Sequence, residues 1–165
     1  MRNKSAICAL VGILTCSNSY ALTDSQVKLV ESKLANLSIQ ESVQLLTKFL
    51  TKHPDDKEAH FLLAKEYLRK KDFEAAQLEI QQAKKLGLKP ALWAPFLGHL
   101  YHRQGDYKRI LKELEPSRFS KGTLSEQEIG HLNLWIAEAN LALQKYEKAL
   151  LSYQAASKVS ALRQE

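Results

Sequence analysis

The 165 residues include only two cysteines, four prolines and six glycines. Two thiols cannot staple a disulfide-rich scaffold, and so little proline and glycine excludes collagen-like or linker-dominated chain. No apolar run approaches the roughly 20 residues needed to span a bilayer. A dominant charge of one sign is missing too. The 24 Lys and Arg against 18 Asp and Glu give a formal +6, a mild excess that permits an anionic partner without demanding one. GxxxxGK[ST], GxSxG, HExxH, CxxC and the EF-hand loop are all absent, so the common phosphate, nucleophile and metal signatures are not available. What is there is 45% hydrophobic and 25% charged residues, a globular composition long enough for one domain with a core.

The first 21 residues read as an address. Arg2 and Lys4 precede an uncharged apolar run, Ala6 to Leu14, and Ser19-Tyr20-Ala21 places small residues where a signal peptidase reads them. Cleavage would start the mature chain near Leu22 and remove both Cys8 and Cys16, so the exported domain is expected to be cysteine-free. The competing reading takes Ile13-Leu14-Thr15-Cys16 as a bacterial lipobox with Cys16 lipidated. Thr15 argues against it, because Gly or Ala is favoured there. The expectation is a soluble periplasmic protein with no transmembrane span in the mature chain.

The rest repeats at an offset of 34 residues. Lys57 to Pro90 superimposes on Ala91 to Leu124: Leu63 on Leu97, Ala64 on Gly98, Tyr67 on Tyr101, Asp72 on Asp106, Phe73 on Tyr107, Ile80 on Leu114. A third copy follows at 130–163 after five extra residues, and 23–56 forms a weaker one ending near Pro54. Antiparallel helices nest closely only where a crossing carries a small side chain. The three better copies offer Ala64, Ala76, Ala83, Gly98, Ile110, Ser117, Ala137, Ala149 and Ala156 at such places. Apolar spacing is helical throughout, Asp72 and Asp106 stand where a carboxylate caps the next helix, and Gly87 with Pro90 closes a unit. Pro116 should cut one helix short, and Ser125-Glu126-Gln127-Glu128 reads as a capping box opening the next, so the insertion becomes a longer loop plus an extra helical turn.

Leu97-Gly98-His99-Leu100-Tyr101, the turn Gln104-Gly105-Asp106-Tyr107 and the step Ala149 to Tyr153 resemble the tetratricopeptide repeat family. The resemblance covers 57–163 well and 23–56 loosely. The family's Trp position holds His60, Ala94 and Asn133 instead, and its unit-ending proline is Leu88 in one copy. It implies an all-α protein, a right-handed α-α superhelix of about four helical hairpins (about 23–56, 57–90, 91–124 and 130–163) within a domain spanning 22–165. It also implies a concave groove lined by the first helix of each hairpin. The family's groove positions fall on Glu58, Phe61, Lys65, Leu68 and Arg69; on Leu92, Pro95, His99, His102 and Arg103; and on His131, Leu134, Glu138, Leu141 and Ala142. Phe61, Lys65, Leu68, Arg69, His99, His102 and Arg103 are the candidate partner-binding residues, the cations steering and the apolar groups contributing buried area. Their bland alternative is a row of ordinary solvated charges.

His99 and His102 lie three apart on one helix, a spacing that suits a metal, but with no cysteine or carboxylate beside them they read as groove residues. No cofactor, metal or catalytic residue is expected, and no nucleic acid: Lys84, Lys85 and Lys89 cluster without an aromatic stacking row. The ninth positions, Glu31, Lys65, His99 and Glu138, lack the asparagines of the family's carboxylate clamp. No polar capping helix follows the last copy, so Leu150, Tyr153 and Ala156 are expected to stay partly exposed or covered by more repeats or a partner. The function expected is a non-enzymatic periplasmic scaffold that binds a protein or peptide, acidic and apolar, in envelope assembly, secretion or polysaccharide export. Gln82 to Leu114 is also similar to repeats of bacterial exopolysaccharide-associated tetratricopeptide proteins. The alternative is an outer-membrane lipoprotein that pilots a pilus or secretion component.

Overall fold

The computed structural model describes residues 24–161, and among them every regular element is helical. The leader reading of residues 1–21, with Cys8 and Cys16, lies outside the described residues. Eight α-helices run in order: α1 Asp24–Leu34, α2 Ile39–Leu50, α3 Lys57–Lys70, α4 Phe73–Lys85, α5 Pro90–Gln104, α6 Tyr107–Glu113, α7 Glu126–Ala142 and α8 Tyr146–Ala161, with one 3-10 turn, Pro116–Arg118, after α6. The chain divides into two compact units, the first ending at Leu88 and the second beginning at Lys89. Among the described residues no helix is long and apolar enough to cross a membrane.

Local chemistry sets the boundaries. Ser38, Asp72 and Asp106, spaced by 34, each accept a hydrogen bond from the backbone amide three residues on, at Glu41, Ala75 and Arg109. Both serine caps, Ser38 and Ser125, close full capping boxes, with Glu41 and Glu128 accepting back from the cap amide at 3.0 and 2.7 Å. Asp56 caps α3 while almost fully buried, its Oδ1 taking the Ala59 amide at 2.7 Å. The α3–α4, α5–α6 and α7–α8 turns share one backbone pattern. Lys71, Gly105 and Gln144 are left-handed, with φ of 64°, 71° and 58°. In each turn the next amide bonds back five residues, Asp72 to Tyr67, Asp106 to Tyr101 and Lys145 to Asn140, at 2.9, 2.9 and 2.8 Å. Only one of the three residues is glycine. Lys71→Gly is therefore expected to raise stability by about 0.5–1 kcal/mol, since a Cβ in this conformation costs more than glycine's extra chain entropy. A denaturant midpoint that fails to rise at unchanged slope would count against this account.

In the first unit Val30, Leu34 and Leu37 pack with Leu46, Phe49 and Leu50 and with Ala59, Leu62 and Leu63 of α3. His60 ties α3 to its surroundings: Nδ1 lies 2.6 Å from the Glu79 carboxylate on α4 and Nε2 lies 2.9 Å from the Pro54 carbonyl. In the second unit α7 packs against α5, α6 and α8. Leu97, Leu100, Tyr101, Ile110, Leu114 and Leu132 are fully withdrawn from solvent there. The insertion is anchored by Phe119, whose ring meets Trp93 at 5.6 Å, and by Leu124, which is buried.

Ala64, Ala76, Ala83, Gly98, Ile110, Ala137, Ala149 and Ala156 are all buried, as close helix crossings require. Ser117 is the exception and a correction: Pro116 ends α6 early, so Ser117 falls in the 3-10 turn and is exposed. At the far end Leu150 is 59% exposed, whereas Ala156 is buried and Tyr153 is half-buried.

Tyr101 is completely buried, and its hydroxyl donates to Glu113 at 3.1 Å. Burial, then the charge of Glu113 and that hydrogen bond, push its phenol far above the ordinary value. The unfolded chain thus loses this proton at a lower pH than the folded one. Stability is full below about pH 10 and falls as pH rises beyond it. Tyr101→Phe should lower stability by about 1 kcal/mol at neutral pH and flatten the alkaline loss, as followed by urea melts from neutral to alkaline pH.

Candidate functional site

The sequence-predicted residues separate into two groups, one in each unit. In the first, Phe61 and Leu68 are buried, 5% and 9% exposed, so their apolar area is already committed to the interior. Lys65 Nζ stands 4.5 Å above the Phe61 ring and pairs with Glu31 at 2.6 Å. Glu31 is 34 residues earlier, the same place in the preceding copy, so these two ninth positions neutralise one another. Arg69 is exposed but donates from Nη1 to both oxygens of buried Glu66, at 3.0 and 2.8 Å. These two cations are therefore answered from within the protein.

The second unit assembles a cavity. α5 contributes Pro95, His99 and His102, spaced by four and three, and α7 contributes His131, Leu134, Trp135 and Glu138, spaced by three, one and three. Both spacings keep side chains on one helical face, so the two helices turn matching stripes toward a common trough of about 700 Å³. Its position depends on Gly98. A Cβ there would lie 2.7 Å from both Cγ and Nε1 of Trp135, closer than real contacts allow, so the indole seats against α5 only because residue 98 has no side chain. His99 lies nearly parallel to the indole, at 11° and 6.0 Å between ring centres, and His102 approaches it at 5.3 Å. His102 also meets the ring of Tyr107 edge-on at 5.9 Å.

Electrostatically the trough is mixed. Partial burial, then the positive neighbour Arg103 and then His102, hold the His99 imidazole below its ordinary range, favouring its neutral form. Glu138 is the carboxylate in the lining, and its Oε1 already accepts from the Tyr153 hydroxyl of α8 at 2.8 Å. That hydrogen bond, followed by burial and the charge of Glu138, raises the Tyr153 phenol. Arg103 is exposed on α5 one residue beyond His102. No group of three or more His, Cys, Asp or Glu able to hold a metal occurs among the described residues. The lining therefore offers aromatic, aliphatic and imidazole surface, with hydrogen-bonding groups at its edges and no nucleophile–base pair.

Scans against protein-family models and curated proteins match nothing to this chain. His99 and His102 belong to the trough, and Arg103 flanks it. Trp135 is its central side chain, and no candidate set drawn from the groove positions contains it. A sequence signal for it does exist: Trp135 is four residues from His131, and Gly98, the smallest residue on the facing helix, marks where something large must approach.

Proposed function

We propose that this chain is a tetratricopeptide-type, non-enzymatic scaffold that holds a protein or peptide partner, with its helical hairpins stacked as a right-handed superhelix. The observation that carries the reading is the α5–α7 trough, a wide, mainly apolar concavity built from two helix faces around Trp135. Its continuity with half-exposed Leu92, Leu134 and Leu141, at 43%, 43% and 44%, suits a macromolecular surface better than a small substrate. The leader-like residues 1–21 and the absence of cysteine beyond Cys16 support work in the periplasm, in envelope assembly, secretion or polysaccharide export. The lipoprotein reading keeps its own support, the lipobox-like Ile13-Leu14-Thr15-Cys16. Intact mass separates the two, since a chain starting at Leu22 excludes acylation at Cys16 and a diacylglyceryl cysteine excludes simple release.

Photoreactive residues placed in cells at Arg103 and Leu134 should crosslink to one discrete partner, while the same residue at Leu78, 72% exposed on α4, should not. Crosslinks from Leu78 with none from the trough would overturn the groove reading.

A further inference from the structure

We propose that the trough between α5 and α7 receives an acidic amphipathic helix of a protein partner, its apolar ridge seated on Trp135 and its carboxylates turned toward Arg103. The proposal rests on the scaffold reading and narrows it to one kind of occupant.

Shape argues for a helix. Leu92, Pro95, His99 and His102 follow one line along α5, and Leu134, Glu138 and Leu141 follow one along α7. The α5 line, from Leu92 to His102, extends about 15 Å at the helical rise, room for about three turns of an occupant. Between two helical walls an occupant helix meets ridges of its own periodicity, with apolar groups at i, i+3 or i+4, and i+7. An extended peptide would fare worse. Its backbone N–H and C=O groups would meet mainly apolar surface with three imidazoles and one carboxylate to answer them, and helical walls keep most of their own backbone groups bonded within the helix. A helix enters with its backbone already satisfied.

Charge argues for acid. Residues 89–121 carry seven Lys and Arg against three Asp and Glu, of which Arg109 pairs with Asp106 at 3.1 Å, and Lys65 and Arg69 of the first unit are likewise paired. Arg103 forms no ion pair among the described residues and is the exposed cation next to the histidines. Glu138, the opposing carboxylate, has Oε1 occupied by Tyr153. A helix with carboxylates beside its apolar ridge therefore meets the exposed guanidinium of Arg103 on the α5 side and a partly satisfied acid on the other.

The test uses the purified full chain and three synthetic helices of about 18 residues, long enough to populate the helical state. One carries a leucine ridge with glutamates, one the same ridge with lysines, and one the glutamates with serines replacing the leucines. Binding is followed through the indole Nε1–H resonances of Trp135 and Trp93. The glutamate–leucine helix should move Trp135 and bind about tenfold more tightly than the lysine–leucine helix, and the serine helix should not bind detectably. Arg103→Glu, an exposed change that leaves the fold intact, should weaken the glutamate–leucine helix about fivefold or more. Leu134→Asp should abolish its binding. Equal or tighter binding of the lysine or serine helix, a shift confined to Trp93, or self-association that buries Trp135 would each overturn the proposal. Should the probes fail while crosslinks from Arg103 and Leu134 persist in cells, the occupant is wrong and the scaffold stands. Should both fail, the scaffold falls as well.

Discussion

Gly98→Ala is expected to destabilise the chain by about 1–2 kcal/mol, and the same change in a Trp135→Ala background to stabilise it by up to about 1 kcal/mol. Residue 98 sits inside α5, where alanine is intrinsically better than glycine by about 1 kcal/mol. In the native protein that gain is opposed by a methyl group placed 2.7 Å from Cγ and Nε1 of Trp135. An indole is rigid, so relief requires the whole ring to swing out of the trough, away from His99 and His102. Overpacking of this kind costs about 1–3 kcal/mol, which exceeds the propensity gain. With Trp135 truncated the obstacle is gone and only the propensity remains. A double-mutant cycle in urea reads the sign change directly. If Gly98→Ala stabilises both backgrounds, the indole does not occupy its assigned place. The single mutant should also lose the ring-current shifts of the His99 and His102 protons, tying stability and trough geometry to one glycine.

Helix starts and stops were legible because each is decided within about five residues. Asp72, Asp106 and the Ser125–Glu128 box act on amides three positions away, and Pro116 acts on its own turn. The small-residue positions were legible through the period: one offset of 34, extended to 39 by the insertion, aligns the buried alanines and also the left-handed residues 71, 105 and 144. Ser117 failed because the same proline that shortened α6 removed it from any helix face. The site was less legible, since its features are pairings between distant residues. Lys65 looked like a free cation when read alone, and only its ion pair with Glu31, one repeat earlier, shows that it is spent. Trp135 is set by Gly98 on the facing helix, across the insertion that breaks the register between copies. Phe61 and Leu68 occupy groove positions by count and are buried within the first unit.

This division bears on what binding can do to the molecule. A partner seated on α5 and α7 touches side chains whose positions are fixed by one glycine, the stacked His99 and tilted His102 rings and the Tyr153–Glu138 bond. A surface so constrained loses little freedom on binding, which favours recognition by shape over induced rearrangement. It also means that core defects in the second unit should reach the trough, since α7 packs on α6 and α8 as well as α5.

That dependence is open to measurement through α7 itself. Leu132 and Ala137 are both at 0% exposure, the first filling space and the second permitting close approach, while Ala142 at the end of the same helix is exposed. Leu132→Ala should cost about 2–5 kcal/mol, the removed methyl groups plus the cavity they leave. Ala137→Leu should cost about 1–3 kcal/mol for the opposite reason, because added methylenes must push a neighbouring helix away. Ala142→Leu should change stability by less than about 0.5 kcal/mol, although it is chemically the same replacement. Against a total stability of about 5–15 kcal/mol, the first change alone can leave a substantial unfolded fraction at physiological temperature. Urea melts of the three variants separate a jigsaw-packed stack from a loose helical assembly, in which Ala137→Leu and Ala142→Leu would have equal, small effects. Because α7 carries Trp135, Ala137→Leu should also shift the indole Nε1–H resonance in the folded state, whereas Ala142→Leu should leave it in place.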